Sequence, residues 1–389
     1  MTSTLFIHVQ DVPLTETDAA TESFDNSLFA DLVGADVGFP VTINGDTFLE
    51  RDPGGNPPHR GHYRGAYSQI SSAYHENFCV TADALLTDRV KLLDDTVVSI
   101  EDYDAIVIGH YWAYNYYILY LLEQYPEKSI IGIQEESVQD VSRYSSLLSV
   151  YHRRVLDNID GYIVENDQFE QYVRQFTDDV LRVPLHVPEG QFESVTGSNT
   201  RTGEVCLGIT SWNIDFSNFY TNIAVLDRLR DDGYQLNGEL LGVQDFQKRM
   251  TADYDEIEFV TTTGYVESDF YEYISQYEFG IHLTTRATSG RVSAEFAGVG
   301  VPLIGNKNND LQQRCWPDLS IDPFDIDSAI ELATRLLEDD AFYDQCVQRA
   351  SETVQELQNY EETATEVNAF LNSVATKQMT VKQILQSVI

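Results

Sequence analysis

Lysine is scarce in this chain of 389 residues: only positions 91, 128, 248, 307, 377 and 382 carry it, and arginine makes up the rest of the 24 basic residues. Cysteine is scarcer. Cys79, Cys206, Cys315 and Cys346 lie far apart and form no CxxC pair, which excludes a disulfide scaffold and a cysteine-built zinc site. Met1 to Asp11 has neither a basic start nor a small-residue cleavage pattern, so no signal peptide is expected. Long hydrophobic runs are also missing. The longest apolar region, Ala105 to Leu122, is broken by Gly109, His110 and Asn115, and reads as a buried strand entering a helix rather than a membrane span. No GxGxxG, Walker loop, GxSxG elbow or HExxH occurs, which removes the commonest dinucleotide, P-loop, serine-hydrolase and zinc-protease readings.

What the chain has is acid. Asp and Glu number 63 and are spread over the whole length, for a net charge of -39. A spread excess with few lysines is the composition expected of a protein adapted to high intracellular salt, where screening makes self-repulsion tolerable. The rival reading is an acidic surface for cations or basic partners. Either way a nucleic-acid partner is disfavoured. Hydrophobic content of 42% with 12% aromatics supplies well-filled cores. A soluble cytoplasmic protein is expected, with peripheral association at the inner face of a membrane left open.

At this length two domains are the default. Thr4 to Val9, "DAIVIG" (Asp104 to Gly109), "SIIGI" (Ser129 to Ile133) and "GYIV" (Gly161 to Val164) read as strands. Helix-length segments, Ala113 to Tyr125 and Val138 to Asp157, separate the later ones, and Asn44-Gly45-Asp46 suggests a hairpin. "PEGQFESVTGSNTRTG" (Pro188 to Gly203) is polar and aperiodic, hence a linker. A second strand–helix series follows. Its strands are Val205 to Thr210, Glu239 to Val243, Ile257 to Val260, Phe279 to Leu283 and Val301 to Gly305. Its helices are Asn222 to Asp232, Ser268 to Tyr277 and Val292 to Val299. After Asp327 three amphipathic helical stretches remain. The expected architecture is α/β: two Rossmann-like domains facing a cleft, with C-terminal helices packing back on the first. The expected boundaries are 1–190, a linker at 191–203, 204–345, and helices at 346–389.

One stretch breaks the acidic texture: "TTRATSGRVSAEFAGVGVP", residues 284 to 302. A strand ends before Thr284, and the loop Thr284–Gly290 feeds a helix whose first turn carries Arg291 and Ser293. Backbone N–H groups and the helix dipole make such an entrance an anion site. Gly290 allows close backbone approach, and Arg286 and Arg291 offer forked donors suited to phosphate. The alternative is that both arginines only pair with surface carboxylates. "RDPGGNPPHRGHYRG" (Arg51 to Gly65) is the other basic island, with Arg51, His59, Arg60 and Arg64; it reads as an acceptor or phosphate lid, or as a solvated loop. His59 and His62 lack a further ligand set, so no metal is expected. Acidic pairs such as Asp102–Asp104 and Asp325–Asp327 are expected by chance in so acidic a chain.

The segment Gln276 to Gly305, "QYEFGIHLTTRATSGRVSAEFAGVGVPLIG", resembles the donor-binding signature of GT-B glycosyltransferases, in particular the family 4 retaining group. "AEFAGVGVPLIG" is similar to the family's Glu-Ala-Met-Ala-x-Gly-x-Pro-Val-Val run. The resemblance implies that Glu295 holds the ribose hydroxyls of a nucleotide and that Gly290 lies near a diphosphate. Two departures stand out. The family's first glutamate corresponds to Ala287, and "GITSWNIDFSN" (Gly208 to Asn218) lacks the usual arginine and lysine, leaving Thr210 and Ser211 as phosphate donors.

In the first half, "YDAIVIGHYW" resembles a histidine-bearing strand end of the family. That implies His110 at the reaction site, against a plain hydrogen-bonded core histidine. "IGIQEES" places Glu135 or Glu136 toward an acceptor. The resemblance implies a retaining, metal-independent transfer with no cofactor, from a nucleotide-diphosphate sugar to a glycan, lipid-linked or small-molecule acceptor. A non-catalytic or degenerate GT-B protein that binds a sugar nucleotide or a partner, and a nucleotide-sugar epimerase, are the alternatives.

Overall fold

The structure is a computed structural model that describes residues 4–7, 89–91, 97–110, 115–134, 137–142, 144, 146–185, 187, 192, 195, 202–209, 216–242, 257–264, 270–358, 363 and 365–377. The described chain divides into two compact units: residues up to Val183 with the helix at 365–377, and Pro184 to Gln358.

In the first unit the strands are β1 (Thr4–Ile7), β2 (Arg89–Lys91), β3 (Val97–Ser99), β4 (Ala105–Gly109), β5 (Ser129–Gln134), β6 (Gly161–Val164) and β7 (Val180–Arg182). All but β2 and β3 form one parallel sheet in the order β1-β4-β5-β6-β7, with Thr4 opposite Ala105 and Ala105 opposite Ser129. "AIVIG" and "SIIGIQ" are buried along their whole length, as a parallel sheet covered on both faces requires. The helices are α1 (Asn115–Gln124), α2 (Val138–Val141), α3 (Ser146–Asn158) and α4 (Asp167–Val173). The single helix expected over Val138 to Asp157 is two, α2 and α3. A capping box closes the start of α2: Asp140 N–H donates to Ser137 Oγ, while the Asp140 carboxylate accepts from Ser137 N–H. Val367, Leu371 and Val374 of the C-terminal helix pack on Val107, Ile131, Ile133 and Ile163, so that helix does return to the first sheet.

The second unit carries β8 (Glu204–Ile209), β9 (Asn237–Leu241), β10 (Val260–Thr262), β11 (Phe279–His282), β12 (Leu303–Asn306) and β13 (Ser320–Ile321), again all parallel, in the order β10-β9-β8-β11-β12-β13. The chain winds outward in one direction from β8 and in the other from β11. The gap between their carboxyl ends is therefore the topological switch point, where ligands of open α/β sheets bind. Its helices are α5 (Phe219–Asp231), α6 (Phe270–Ile274), α7 (Arg291–Val299), α8 (Asp310–Cys315), α9 (Ile326–Glu338) and α10 (Asp340–Leu357).

The boundary expected at 345/346 falls inside α10. Phe342, Cys346, Ala350 and Val354 of that helix share one core with β8, β11 and α7, so it belongs to the second unit and only the following helix crosses back. β10 starts three residues later than the expected strand, because Val260 N–H donates to Ile257 O and holds residues 257–259 in a turn. The hairpin expected at 44–46 lies outside the described residues.

Candidate functional site

At the carboxyl end of the second sheet, the segment Thr284–Gly290 links β11 to α7, and nearly every turn of it is held from outside. Asn218, in the left-handed region at φ 52°, donates from Nδ2 to Leu283 O and Pro323 O, both at 2.8 Å. Asn222 accepts from Leu283 N–H with Oδ1 and donates to Leu207 O with Nδ2, which ties β8 to β11. Phe216 O receives Thr284 Oγ1 and Thr285 N–H at 2.8 Å each.

From the other side come three buried amides of the stretch after Ile304. Asn306 Nδ2 donates to Thr284 O at 2.8 Å and to Arg286 O at 3.1 Å. Asn309 Oδ1 accepts Thr288 N–H at 2.8 Å. Gln312 Oε1 accepts Ser293 Oγ at 2.7 Å, and Trp316 Nε1 donates to Ser293 O. Asn306 and Gln312 each satisfy two or more loop or strand groups and Asn309 one, groups that would otherwise be buried unsatisfied, so the loop is firmly held.

Gly290 is the N-cap of α7 at φ 86° and, having no side chain, leaves the helix start without a side-chain cap of its own. A Cβ there would adopt a disfavoured left-handed conformation and press on Asn309 Cβ at 3.2 Å. Arg286 and Arg291 flank the entrance and are half-buried rather than standing in solvent; the Arg286 guanidinium lies 5.8 Å from the Phe216 ring centre. Ser289 and Glu295 are buried, Glu295 on α7 at 2% exposure. Ala287, opposite which the resemblance places a glutamate, is buried at 2%. The loop thus gathers Arg286, Ser289, Gly290, Arg291 and Glu295 around one helix start, with partial positive charge from both the dipole and the guanidinium groups.

In the first unit His110 follows β4 and is fully buried. Its Nδ1 lies 2.6 Å from Tyr162 Oη and its Nε2 2.7 Å from Asn115 Oδ1; Tyr162 Oη is in turn 3.0 Å from Gln134 Oε1. Both ring nitrogens are engaged, which matches the hydrogen-bonded core reading of this histidine. Burial, and the neighbouring His152, hold His110 well below the usual imidazole range. His152 stacks on it with ring centres 4.4 Å apart, and burial lowers its pKa to about 4.

Glu135, Thr210, Ser211, Arg51, His59, Arg60 and Arg64, together with Glu136 and His62, lie outside the described residues. Among the described residues no cluster of three His, Cys, Asp or Glu is arranged to hold a metal ion. Sequence reasoning missed the amide set Asn218, Asn222, Asn306, Asn309 and Gln312. Its one visible trace was the asparagine-rich "NKNND" that begins at the last residue of β12.

No sequence family and no curated protein matches the chain. Solved structures do. The structure of Anabaena Alr3699/HepE in complex with UDP matches over 95% of this chain and 100% of its own, at TM-score 0.63 and 10% identity. Sucrose-phosphate synthase from Thermosynechococcus elongatus matches over 74% and 75%, at TM-score 0.55 and 17% identity. A UDP-forming trehalose-phosphate synthase from Burkholderia xenovorans matches over 71% and 76%, at TM-score 0.54 and 12% identity.

The chain has the GT-B fold.

Within that GT-B frame the Thr284–Gly290 loop lies at the carboxyl end of the second sheet, one strand-end from its switch point. The GT-B assignment rests on architecture, since identities of 10% to 17% leave side-chain chemistry free to differ.

Proposed function

We propose that this protein is a glycosyltransferase that takes its sugar from a nucleotide-diphosphate donor bound on the second unit. The observation that carries the reading is the α7 entrance: a glycine-opened helix start between two half-buried arginines, in a chain of net charge -39. Retained positive charge at such a place favours a phosphorylated ligand over a neutral one. The relatives in fold named above, one of them holding UDP, support the same class.

In the transfer, the bond between the anomeric carbon and the diphosphate oxygen breaks, a new bond forms to an acceptor hydroxyl oxygen, and that hydroxyl's proton passes to the departing diphosphate. The departing diphosphate gains negative charge, which the helix start, Arg286 and Arg291 are placed to stabilise. Glu295 then holds the ribose hydroxyls. Transfer with retention, without a metal ion, to a glycan, lipid-linked or small-molecule acceptor is the finer form of this proposal. Ala287 favours one second reading, a sugar-nucleotide binder without turnover, because a carboxylate that would touch the transferred sugar is replaced by a methyl group.

The experiment is a calorimetric titration of nucleotide sugars in molar salt, followed by turnover assays with candidate acceptors. Arg291→Ala should weaken donor binding roughly ten- to a hundred-fold, the cost of losing one charge-assisted contact. Unchanged affinity in that variant removes the proposal. Tight binding without hydrolysis or transfer selects the second reading.

A further inference from the structure

The last residue of β11 is a histidine, and its neighbours in the strand are hydrophobic. Phe279 and Ile281 before it and Leu283 after it are fully buried, yet His282 keeps 9% of its surface. It stands on the strand that borders the switch point, two residues before the arginine-bearing loop begins.

Its ring lies against the end of β8. Nδ1 accepts the Ile209 N–H at 3.5 Å. Gly208, at φ 112°, makes this approach possible: a Cβ there would sit 3.3 Å from His282 Nδ1 and 3.1 Å from Asn222 Nδ2. Desolvation lowers the ring's pKa to about 4, so at neutral pH it carries one proton. With Nδ1 accepting, that proton resides on Nε2. The ring is therefore a neutral N–H donor, fixed by backbone on one side, between the ends of the two central strands.

We propose that His282 is a further donor-binding residue, whose Nε2–H donates to an oxygen of the sugar-side phosphate in the diphosphate that joins nucleoside and sugar. This rests on the donor reading above. A neutral donor suits the place: it adds a directed hydrogen bond to an anion whose charge the arginines already balance, and it does so over the whole neutral pH range. It also fills part of the role left by the basic residues that "GITSWNIDFSN" lacks.

The test is calorimetric binding of nucleoside mono- and diphosphates and of the matching nucleotide sugars, in the uridine, adenosine and guanosine series, at pH about 7.5. Wild type is compared with His282→Leu, which keeps the volume without the donor, His282→Ala, and His282→Gln, whose amide nitrogen can occupy the Nε2 position. Melting curves and circular dichroism check that each is folded. The Leu and Ala variants should lose roughly ten- to a hundred-fold in affinity for the diphosphate, little for the monophosphate, and Gln should restore most of the loss. Equal losses for mono- and diphosphate, no loss at all, or a loss confined to the nucleotide sugar overturns the assignment while leaving the donor site standing. Failure of wild type to bind any of these compounds overturns both readings together.

Discussion

His152 offers the sharpest quantitative test of the first unit. The side chain is 1% exposed on α3, and among the described residues neither ring nitrogen has a hydrogen-bond partner. Rings surround it: His110 stacked at 4.4 Å, Tyr172 at 6.2 Å and Tyr144 edge-on at 5.3 Å. His152→Phe keeps that stack and removes both orphaned nitrogens. At pH 8 it should stabilise the unit by about 1–3 kcal/mol, the desolvation cost recovered. The pH dependence follows from linkage. The folded pKa of about 4 lies below the unfolded 6.5, so the unfolded chain takes the proton first. Stability is therefore complete above about pH 7 and falls as pH drops through 6.5 toward 4. At pH 5.5 the wild type should have lost about 1.4 kcal/mol through this group, which the phenylalanine variant does not lose. Removing the neighbour also relieves the repulsion that lowers His110, which widens the difference. Urea unfolding followed by circular dichroism, at fixed high salt between about pH 5 and 8, measures it. Parallel curves for the two proteins would refute the reasoning.

Other expectations concern the loop and the surface. Asn306→Asp keeps the shape but replaces two donated hydrogen bonds with repulsion against Thr284 O and Arg286 O; it should raise KM for the donor more than it lowers kcat, and cost about 2–4 kcal/mol in denaturant unfolding. Gly290→Ala should destabilise by about 1–2 kcal/mol through strain at φ 86° and weaken nucleotide binding further, read by calorimetry against Gly300→Ala, which shares the strain at φ 73° but lies at the other end of α7. With a net charge of -39, the melting temperature should climb steeply as KCl rises from about 0.1 to 1 M, because the screening length shrinks from about 10 Å to about 3 Å. A flat response in differential scanning calorimetry would remove the high-salt reading.

Much of the fold was legible because its signals are local. Buried parallel strands write themselves as short β-branched runs such as "AIVIG" and "SIIGIQ", and α7 announces itself through Gly290 at its start and Gly300 at its end. The arginine-flanked helix entrance could be read for the same reason: loop, cap and first turn are contiguous. The amide network could not. Asn218 and Leu283 are 65 positions apart, and Asn306 reaches back 20 and 22 to the carbonyls it holds. Asparagine carries no periodic signal, so nothing in the sequence separates a buried clamp from a surface turn. The single helix expected over 138–157 is interrupted after Val141, where Tyr144 N–H donates back to Val141 O in a turn before α3 begins at Ser146, a break that no residue in the apolar period announces.

By itself, then, the order of residues determined the alternation of strand and helix, the acid surface, and the place where positive charge was kept. Only tertiary structure decided what the buried polar groups do. His110 is engaged at both nitrogens by Tyr162 and Asn115, His152 is stacked on rings with neither nitrogen hydrogen-bonded among the described residues, and His282 is turned toward Gly208. The physical reason is that a polar group's role depends on which distant atoms share its desolvated surroundings. That is a property of packing, which local sequence does not encode.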